Sequence, residues 1–211
     1  YTAFAAVDSR IPGVSIAFNY KVMNGCRAVK VRTMGFEAFE SVNAPYLGQV
    51  YASGMHSNAG FGKNTDNDAP AVLKDKICTD VFLLKLIPGT NPDIFDTLLK
   101  MNYRGVVIEA FGTGGLHVVR RNLLPKIKML IDHGIAVVVC SQCVYEASDL
   151  TIYEVGSRFL EYGVIQGMDM TTEAAVTKLM WALGQTDSLG EVRRMFGTSY
   201  AGEITLPDNA G

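Results

Sequence analysis

The sequence lacks an excess of basic residues and any long apolar run. Its 19 lysines and arginines are outnumbered by 21 aspartates and glutamates, which gives a formal net charge of −2. A nucleic-acid interface needs a basic surface, and a membrane helix needs roughly 20 consecutive apolar residues. The opening residues, Tyr1 to Phe4, also lack the basic segment of a signal peptide. We therefore expect a cytoplasmic protein with no nucleic-acid partner and no membrane association.

Cysteine is scarce, and its spacing does not favour a metal site. The four cysteines are Cys26, Cys78, Cys140 and Cys143. The last two form a C-x-x-C pair at the end of an apolar segment. A structural zinc site would use a second such pair, and a redox motif would start a helix between its cysteines. We expect reduced thiols packed at a strand end, with redox or metal binding as the less favoured alternative, and we expect no metal or other cofactor.

The second half of the chain has the pattern of an α/β domain. Apolar segments over 81–87, 105–111 and 135–140 are separated by two helical segments, one with Pro92 at its first position and one ending at Gly134. The apolar segments do not alternate with polar residues, which predicts parallel strands buried on both faces. Three further helices are predicted at the end of the chain, over 151–163, 171–184 and 187–197.

The first half is less regular. Residues 2–7 are predicted to end a helix, 13–18 to form a buried strand and 49–53 to form a short strand, and Asn24-Gly25 is a tight-turn signal. Residues 53–70 are rich in Gly, Asn, Asp and Ser, which is typical of a linker. The predicted organisation is therefore an incomplete α/β domain over 1–58, a linker over 59–75 and a smaller parallel-sheet βαβ domain over 76–211.

A glycine-rich turn, Gly112-Thr113-Gly114-Gly115, follows the apolar segment 105–111. In open α/β sheets, ligands bind at the carboxyl ends of the strands, so this turn is a candidate binding site. It does not match G-x-G-x-x-G and lacks the lysine of a phosphate-binding loop, which makes a nucleotide site a weak interpretation. The alternative is a turn that needs glycine only for a positive φ. His117 follows the turn directly, whereas His56 and His133 belong to no motif.

Several stretches together resemble one enzyme family. They are GVVIEAFGTGGL (105–116), the segment from IAVVVCSQC to WALGQT (135–186), EVRRMF (191–196) and SYAGEIT (199–205). These resemble the C-terminal domain of type I, or cytoplasmic, L-asparaginases. The segment FNYKVMNGCRAVKVRTMGFEAFES (18–41) resembles the end of the larger N-terminal domain of that family.

The resemblance implies hydrolysis of L-asparagine to L-aspartate and ammonia through an acyl-enzyme on a threonine. In the family the catalytic residues come from T-G-G-T and G-T-D-T segments, a serine-bearing loop and a later lysine. The sequence contains neither threonine motif; Thr186-Asp187-Ser188 is predicted to cap a helix, and Thr65-Asp66 lies in the predicted linker. We expect the catalytic Thr, Asp and Lys upstream of Tyr1, and no activity in this chain alone.

The family's second domain also contributes to binding. An intimate dimer, within a homodimer or homotetramer, brings the glycine-rich turn of one protomer beside the active site of the other. By this resemblance Gly112, Thr113 and Gly114 are candidate binding residues for L-asparagine. Related enzymes carry an asparagine in the turn where Thr113 stands, and the shorter threonine favours a supporting role over direct contact.

Some bacterial members have an allosteric asparagine site formed by an arginine and a T-Q-C segment. The matching positions here are Glu109, Ser141 and Cys143. A glutamate in place of the arginine reverses the charge that would bind the effector's carboxylate, so this form of regulation is not expected. Two alternatives to the asparaginase hypothesis stay open: the asparaginase-like subunit of the archaeal glutamyl-tRNA(Gln) amidotransferase, and an inactive oligomerisation module.

Overall fold

The protein divides into two compact units. The computed structural model describes residues 1–9, 11, 13–58, 72–152 and 154–206. One unit comprises Tyr1–Leu73 with Ala201–Glu203, and the other comprises Lys74–Tyr200 with the described residues from Ile204 onward. Most of the predicted linker, together with Thr65 and Asp66, lies outside the described residues, so the predicted domain boundaries stay a prediction.

The first unit is built on antiparallel sheets. Its elements are α1 (Thr2–Asp8), β1 (Ser15–Phe18), β2 (Lys21–Asn24), β3 (Ala28–Lys30), β4 (Phe39–Ser41), β5 (Gly48–Tyr51) and β6 (Gly54–Ser57). Four strands form one sheet in the order β1-β2-β5-β6, and β3 pairs with β4 in a separate two-stranded sheet. Helix α1 packs on the larger sheet, where Ala6, Val22 and Leu47 form a small buried cluster.

Two features of this unit differ from the sequence-based expectation. The apolar pattern predicts a buried β1, but this strand lies at a sheet edge and is only partly buried, with Phe18 exposed. The tight hairpin joins β1 to β2 through Asn19 and Tyr20, whose φ values of 45° and 61° are the left-handed backbone of a two-residue type I′ turn. Asn24-Gly25 does form a turn, in which the Arg27 N–H donates to the Asn24 carbonyl at 3.0 Å.

The second unit is the α/β domain that the sequence predicts. Its elements are β7 (Val81–Lys85), α2 (Asp93–Lys100), β8 (Gly105–Ala110), α3 (Leu124–Asp132), β9 (Ala136–Ser141), α4 (Glu154–Tyr162), β10 (Ile165–Gln166), α5 (Thr172–Gln185) and α6 (Leu189–Phe196). The strands form a parallel sheet in the order β10-β9-β8-β7. One buried cluster joins the sheet to α5 and α6, and another joins it to α2, α3 and α4.

Burial on both faces holds for the central strands only. Strands β8 and β9 are almost wholly buried, whereas β7 lies at the edge of the sheet and its Leu83 is 43% exposed. The edge position is the reason the prediction was wrong for β7, since an edge strand has a neighbour on one side only.

Among the described residues, no helix is both long and apolar enough to cross a membrane.

Candidate functional site

The glycine-rich turn closes on itself at the carboxyl end of β8. The Phe111 N–H donates to the Gly115 carbonyl at 3.0 Å, and the Gly115 N–H donates back to the Phe111 carbonyl at 2.6 Å. This pair of hydrogen bonds forms an isolated antiparallel bridge. The three residues between them, Gly112 to Gly114, are therefore the tip of a loop held at its base.

Two glycines of the turn adopt a backbone that other residues rarely adopt. Gly112 has φ +52° and Gly114 has φ +123°. A Cβ on Gly112 would meet nothing within 4 Å, whereas a Cβ on Gly114 would lie 2.4 Å from Leu150 Cδ2. Gly114 is thus required both by its backbone and by close packing against Leu150, which confirms the interpretation that the turn needs a positive φ.

Leu150 is held from two sides. Besides its contact with Gly114, its carbonyl lies so near Gly156 of α4 that a Cβ there would be 2.0 Å from the oxygen. Its own N–H donates to Gln166 Oε1 at 3.0 Å, which ties the loop to β10. The absence of side chains at both glycines lets the loop between β9 and α4 lie directly against the turn.

A cavity of about 210 Å³ lies between the turn and this loop. Its described lining consists of Thr113, Gly114, Gly115, Leu116, Asp149, Leu150 and Gly156. Thr113 is half-buried and contributes a hydroxyl group to one wall. Of the predicted binding residues, Thr113 and Gly114 line this cavity; Gly112 lies at the tip of the turn and is not among the lining residues.

Asp149 is the one ionisable residue among the described residues that line the cavity. Its Oδ1 accepts hydrogen bonds from the Thr151 N–H at 2.8 Å and from the Thr151 hydroxyl at 2.6 Å. Hydrogen bonds from the Thr151 hydroxyl and N–H stabilise the carboxylate and lower the pKa of Asp149. Sequence reasoning missed Asp149, because no motif marks it and only the fold brings it to the turn.

The residues that follow β9 tie the ends of the strands together. The Ser141 hydroxyl donates to the Gly112 carbonyl at 2.6 Å, and its oxygen accepts the Cys143 N–H at 2.9 Å. Gln142, which sequence reasoning also missed, donates through Nε2 to the carbonyls of Leu86 at 2.7 Å and Glu109 at 3.0 Å. These bonds fix the base of the turn relative to β7 and β9.

Glu109 is already paired by neighbouring side chains. Its Oε1 accepts the Thr172 hydroxyl at 2.8 Å, and Lys85 Nζ lies 3.4 Å from its Oε2. Burial, and to a smaller extent the negative charge of Glu109, raise the pKa of Cys140 to about 12. The Cys140 thiol therefore stays protonated at neutral pH, whereas a reactive thiol would have a lowered pKa.

The remaining candidates do not gather into a site. Cys140 is buried in β9 and Cys143 is exposed, and all four cysteines are free thiols. Within the described ranges, no group of three or more His, Cys, Asp or Glu side chains is arranged to hold a metal ion.

The histidines and the predicted helix cap are also separate from the cavity. The His133 ring lies 2.8 Å from the Met129 carbonyl oxygen near the end of α3. His56 forms a hydrogen bond with the Ser53 hydroxyl. His117 packs edge-on against the Phe111 ring and is not among the residues that line the cavity. Ser188 caps α6, as predicted.

Comparison with known proteins agrees with this architecture. Residues 80–196 match the Glutaminase/Asparaginase C-terminal domain, and residues 1–60 match the model described as Asparaginase, N-terminal. An L-asparaginase of Thermococcus kodakarensis is 37% identical over 204 residues, which cover 97% of this chain and 61% of that protein. A glutamyl-tRNA(Gln) amidotransferase subunit of Pyrococcus horikoshii is 38% identical over 181 residues, which cover 86% of this chain and 41% of that protein.

Solved structures give the same result. The thermostable L-asparaginase of Thermococcus kodakarensis superposes with a TM-score of 0.89 at 36% identity, covering 98% of this chain and 61% of that one. L-asparaginase I of Vibrio cholerae superposes with a TM-score of 0.84 at 27% identity, covering 93% and 58%. The chain thus spans about three fifths of the length of these asparaginases. With both family models matched in order along the sequence, the chain belongs to the asparaginase family.

Proposed function

We propose that this chain contributes the C-terminal-domain wall of an L-asparaginase active site, where L-asparagine is hydrolysed to L-aspartate and ammonia. The observation that carries the proposal is the glycine-rich turn, which holds Thr113 on a cavity at the carboxyl edge of a parallel sheet. Gly112, Thr113 and Gly114 are the proposed binding residues.

The proposed domains are 1–58 and 76–211, joined by a linker over 59–75, in a cytoplasmic protein.

In this proposal the nucleophile is supplied from outside this chain. Amide hydrolysis by a hydroxyl needs a neighbouring base to take its proton and fixed donors for the oxyanion. The Thr113 hydroxyl has neither a lysine nor a histidine beside it among the described residues that line the cavity. We therefore assign to Thr113 the donation of one hydrogen bond to the substrate or to a group that holds it, and we assign the attack to a threonine outside these 211 residues.

A partner surface is part of the proposal. Four large apolar side chains are exposed on the loops that follow the parallel strands: Ile87, Val119, Val144 and Ile152. Exposed apolar groups on the same edge of a sheet are typical of a surface that another protein chain covers. The proposed partner is a second copy of the chain in an intimate dimer, within a homodimer or a homotetramer.

Ammonia release tests this function. The purified 211-residue chain should release none from L-asparagine, while the assembly that carries it should turn the substrate over. In that assembly Thr113→Ser should retain activity, because the hydroxyl remains. Thr113→Ala should lose roughly tenfold in kcat/KM, the usual cost of one hydrogen bond. Robust turnover of L-asparagine by the chain alone would contradict the proposal.

An amidotransferase subunit is the second candidate. The observation in its favour is that the amidotransferase subunit of Pyrococcus horikoshii is as similar to this chain as the asparaginases are. In that case the released ammonia would pass to a partner that binds tRNA, and the protein would copurify with that partner. The net charge of −2 favours the asparaginase over a subunit that itself touches RNA.

An inactive oligomerisation module is the third candidate. It predicts a stable dimer by size-exclusion chromatography without any ligand, together with no ammonia release from any assembly.

Regulation through Glu109, Ser141 and Cys143 is not part of the proposal. A Glu109 carboxylate bonded to Thr172 and Lys85 has the wrong charge for an effector's carboxylate, and the Ser141 hydroxyl is engaged by the Gly112 carbonyl. Calorimetry should show the same asparagine binding before and after a Glu109→Ala change. Loss of asparagine binding in that variant would instead support an allosteric site at these residues.

A further inference from the structure

We propose that Ser141 and Gln142, the last residue of β9 and the residue after it, are positioning residues that hold Thr113 in place for the substrate. This inference rests on the proposed function and deepens it, because it names residues that act on the same site from outside the cavity. Neither side chain is among the described residues that line the cavity. We therefore expect their effect on the substrate to pass through the glycine-rich turn.

The first argument is a hydrogen bond at the start of the turn. The Ser141 hydroxyl donates to the Gly112 carbonyl at 2.6 Å. That carbonyl belongs to the planar peptide group that joins Gly112 to Thr113, so the bond fixes the plane from which Thr113 starts. A Cβ on Gly112 would meet nothing within 4 Å. Because the space around the Gly112 α-carbon is open, packing does not supply this restraint, and the hydroxyl of Ser141 does.

The second argument is that one side chain spans the ends of three strands. Gln142 Nε2 donates to the Leu86 carbonyl, just after β7, at 2.7 Å and to the Glu109 carbonyl of β8 at 3.0 Å. The Gln142 N–H donates to the carbonyl of Ala110, the last residue of β8, at 2.9 Å. Both acceptors of the side chain are carbonyls, so only a side chain with a donor can serve here. Gln142 therefore holds the strand end from which the turn departs.

The third argument is the distribution of restraints along the turn. After Thr113, the chain is held by the packing of Gly114 against Leu150. Before Thr113, it is held by the Ser141 hydrogen bond to Gly112. A threonine between two glycines loses much conformational freedom when it is ordered, and a hydroxyl binds best when its backbone is already in place. Loss of the Ser141 bond should thus leave Thr113 present but less well oriented.

The experiment measures kcat/KM for L-asparagine in the assembly that hydrolyses it. Ser141→Ala removes the hydroxyl and should lower kcat/KM by about three- to tenfold, and by no more than Thr113→Ala does. That limit follows because Ser141 acts through Thr113. Ser141→Thr keeps a hydroxyl at the same position and should recover most of the loss.

A double variant separates positioning from an independent effect. If Ser141 acts through Thr113, its hydroxyl has nothing to position once the threonine is gone. The double variant Thr113→Ala with Ser141→Ala should then equal Thr113→Ala alone within about twofold in kcat/KM. A merely structural role for Ser141 would instead multiply the two losses.

Gln142 has a matched control in Gln185. Gln185 Nε2 also donates to two backbone carbonyls, at 2.7 Å and 3.2 Å. It lies at the end of α5, where Arg104, the residue before β8, donates to the Leu183 carbonyl, so this bridge is at the amino edge of the sheet. Gln142→Met should lower kcat/KM about threefold or more, whereas Gln185→Met should not. Trp181 fluorescence in urea shows how far each variant is destabilised.

Each outcome decides between the two proposals. Unchanged kcat/KM in Ser141→Ala, losses that multiply in the double variant, or an equal loss in Gln142→Met and Gln185→Met would each overturn the inference and leave the proposed function intact. Absence of asparagine hydrolysis in the unsubstituted assembly would overturn the proposed function and the inference with it.

Discussion

The two units differ in how each covers its apolar residues. In the second unit, helices cover both faces of the parallel sheet, and β8 and β9 are almost wholly buried. In the first unit, α1 buries Ala6 on its inner side but exposes Phe4 and Val7 at 78% and 74%, and Tyr1, which precedes the helix, is 79% exposed. A helix that is apolar on all sides is typical of a buried position. The second unit is stabilised by its own core, whereas the first leaves an apolar face uncovered.

The difference also concerns where the candidate site lies. The cavity beside the glycine-rich turn lies wholly within the second unit, and its walls are fixed by buried contacts of Leu150. A site needs walls whose positions do not change, and a large core supplies them. We therefore expect the second unit to keep the geometry of its cavity when residues of the first unit are changed.

The largest expected effect is on the core of the second unit. Phe159 of α4 is fully buried, and Phe159→Ala should lower the free energy of unfolding by roughly 3–5 kcal/mol, the usual cost of such a cavity. Trp181 is the single tryptophan and lies in α5, so its fluorescence in a urea titration reports on this unit. Val22→Ala, at a fully buried position of the first unit, is the control and should leave the Trp181 midpoint unchanged. An equal shift in both variants would show that the two units share one transition.

A smaller effect is expected on stability at alkaline pH, because one cysteine is buried in the second unit. Burial raises the pKa of Cys140 from 9.0 to about 12, so the folded protein holds a proton that the unfolded chain releases. The stability from this thiol is complete below pH 9 and falls as the pH rises from 9 to 12, by on the order of 1 kcal/mol per pH unit. Urea titrations of the protein and of Cys140→Ala across this range should give a steeper decline for the unsubstituted protein. Parallel declines would contradict the prediction.

The glycine-rich turn should show a graded response. Gly114→Ala combines a positive φ with a clash against Leu150 and should cost about 2 kcal/mol or more. Gly112→Ala, with a positive φ but open space, should cost about 1 kcal/mol. Thermal unfolding of both variants measures the difference. Equal costs would mean that packing against Leu150 does not constrain the turn.

Much of the fold follows from the sequence, because its signals are local. Non-alternating apolar segments predict the central parallel strands, and Gly134 with φ +81° ends α3 as its position suggests. The exposure of β7 could not be predicted, since it depends on the order of strands in the sheet. The hairpin at Asn19 and Tyr20 was missed because tyrosine gives no signal for a left-handed backbone.

The site was predictable only in part, for a related reason. Three glycines in four residues mark the turn, and the turn does line a cavity through Thr113 and Gly114. Asp149 and Gln142 carry no such mark. They reach the turn because parallel neighbours β8 and β9 end at the same edge of the sheet, which is a property of strand pairing and not of spacing along the chain.

The smallest expected effect tests the uncovered face of the first unit. Phe4 is 78% exposed on α1, so Phe4→Ser should change the free energy of unfolding by no more than about 0.5 kcal/mol. Ala6→Ser on the buried side of the same helix is the matched control and should cost about 1–3 kcal/mol, because it buries a hydroxyl. Far-ultraviolet circular dichroism in urea measures both. If Phe4→Ser costs as much as Ala6→Ser, the outer face of α1 is covered in solution, and the contrast between the two units disappears.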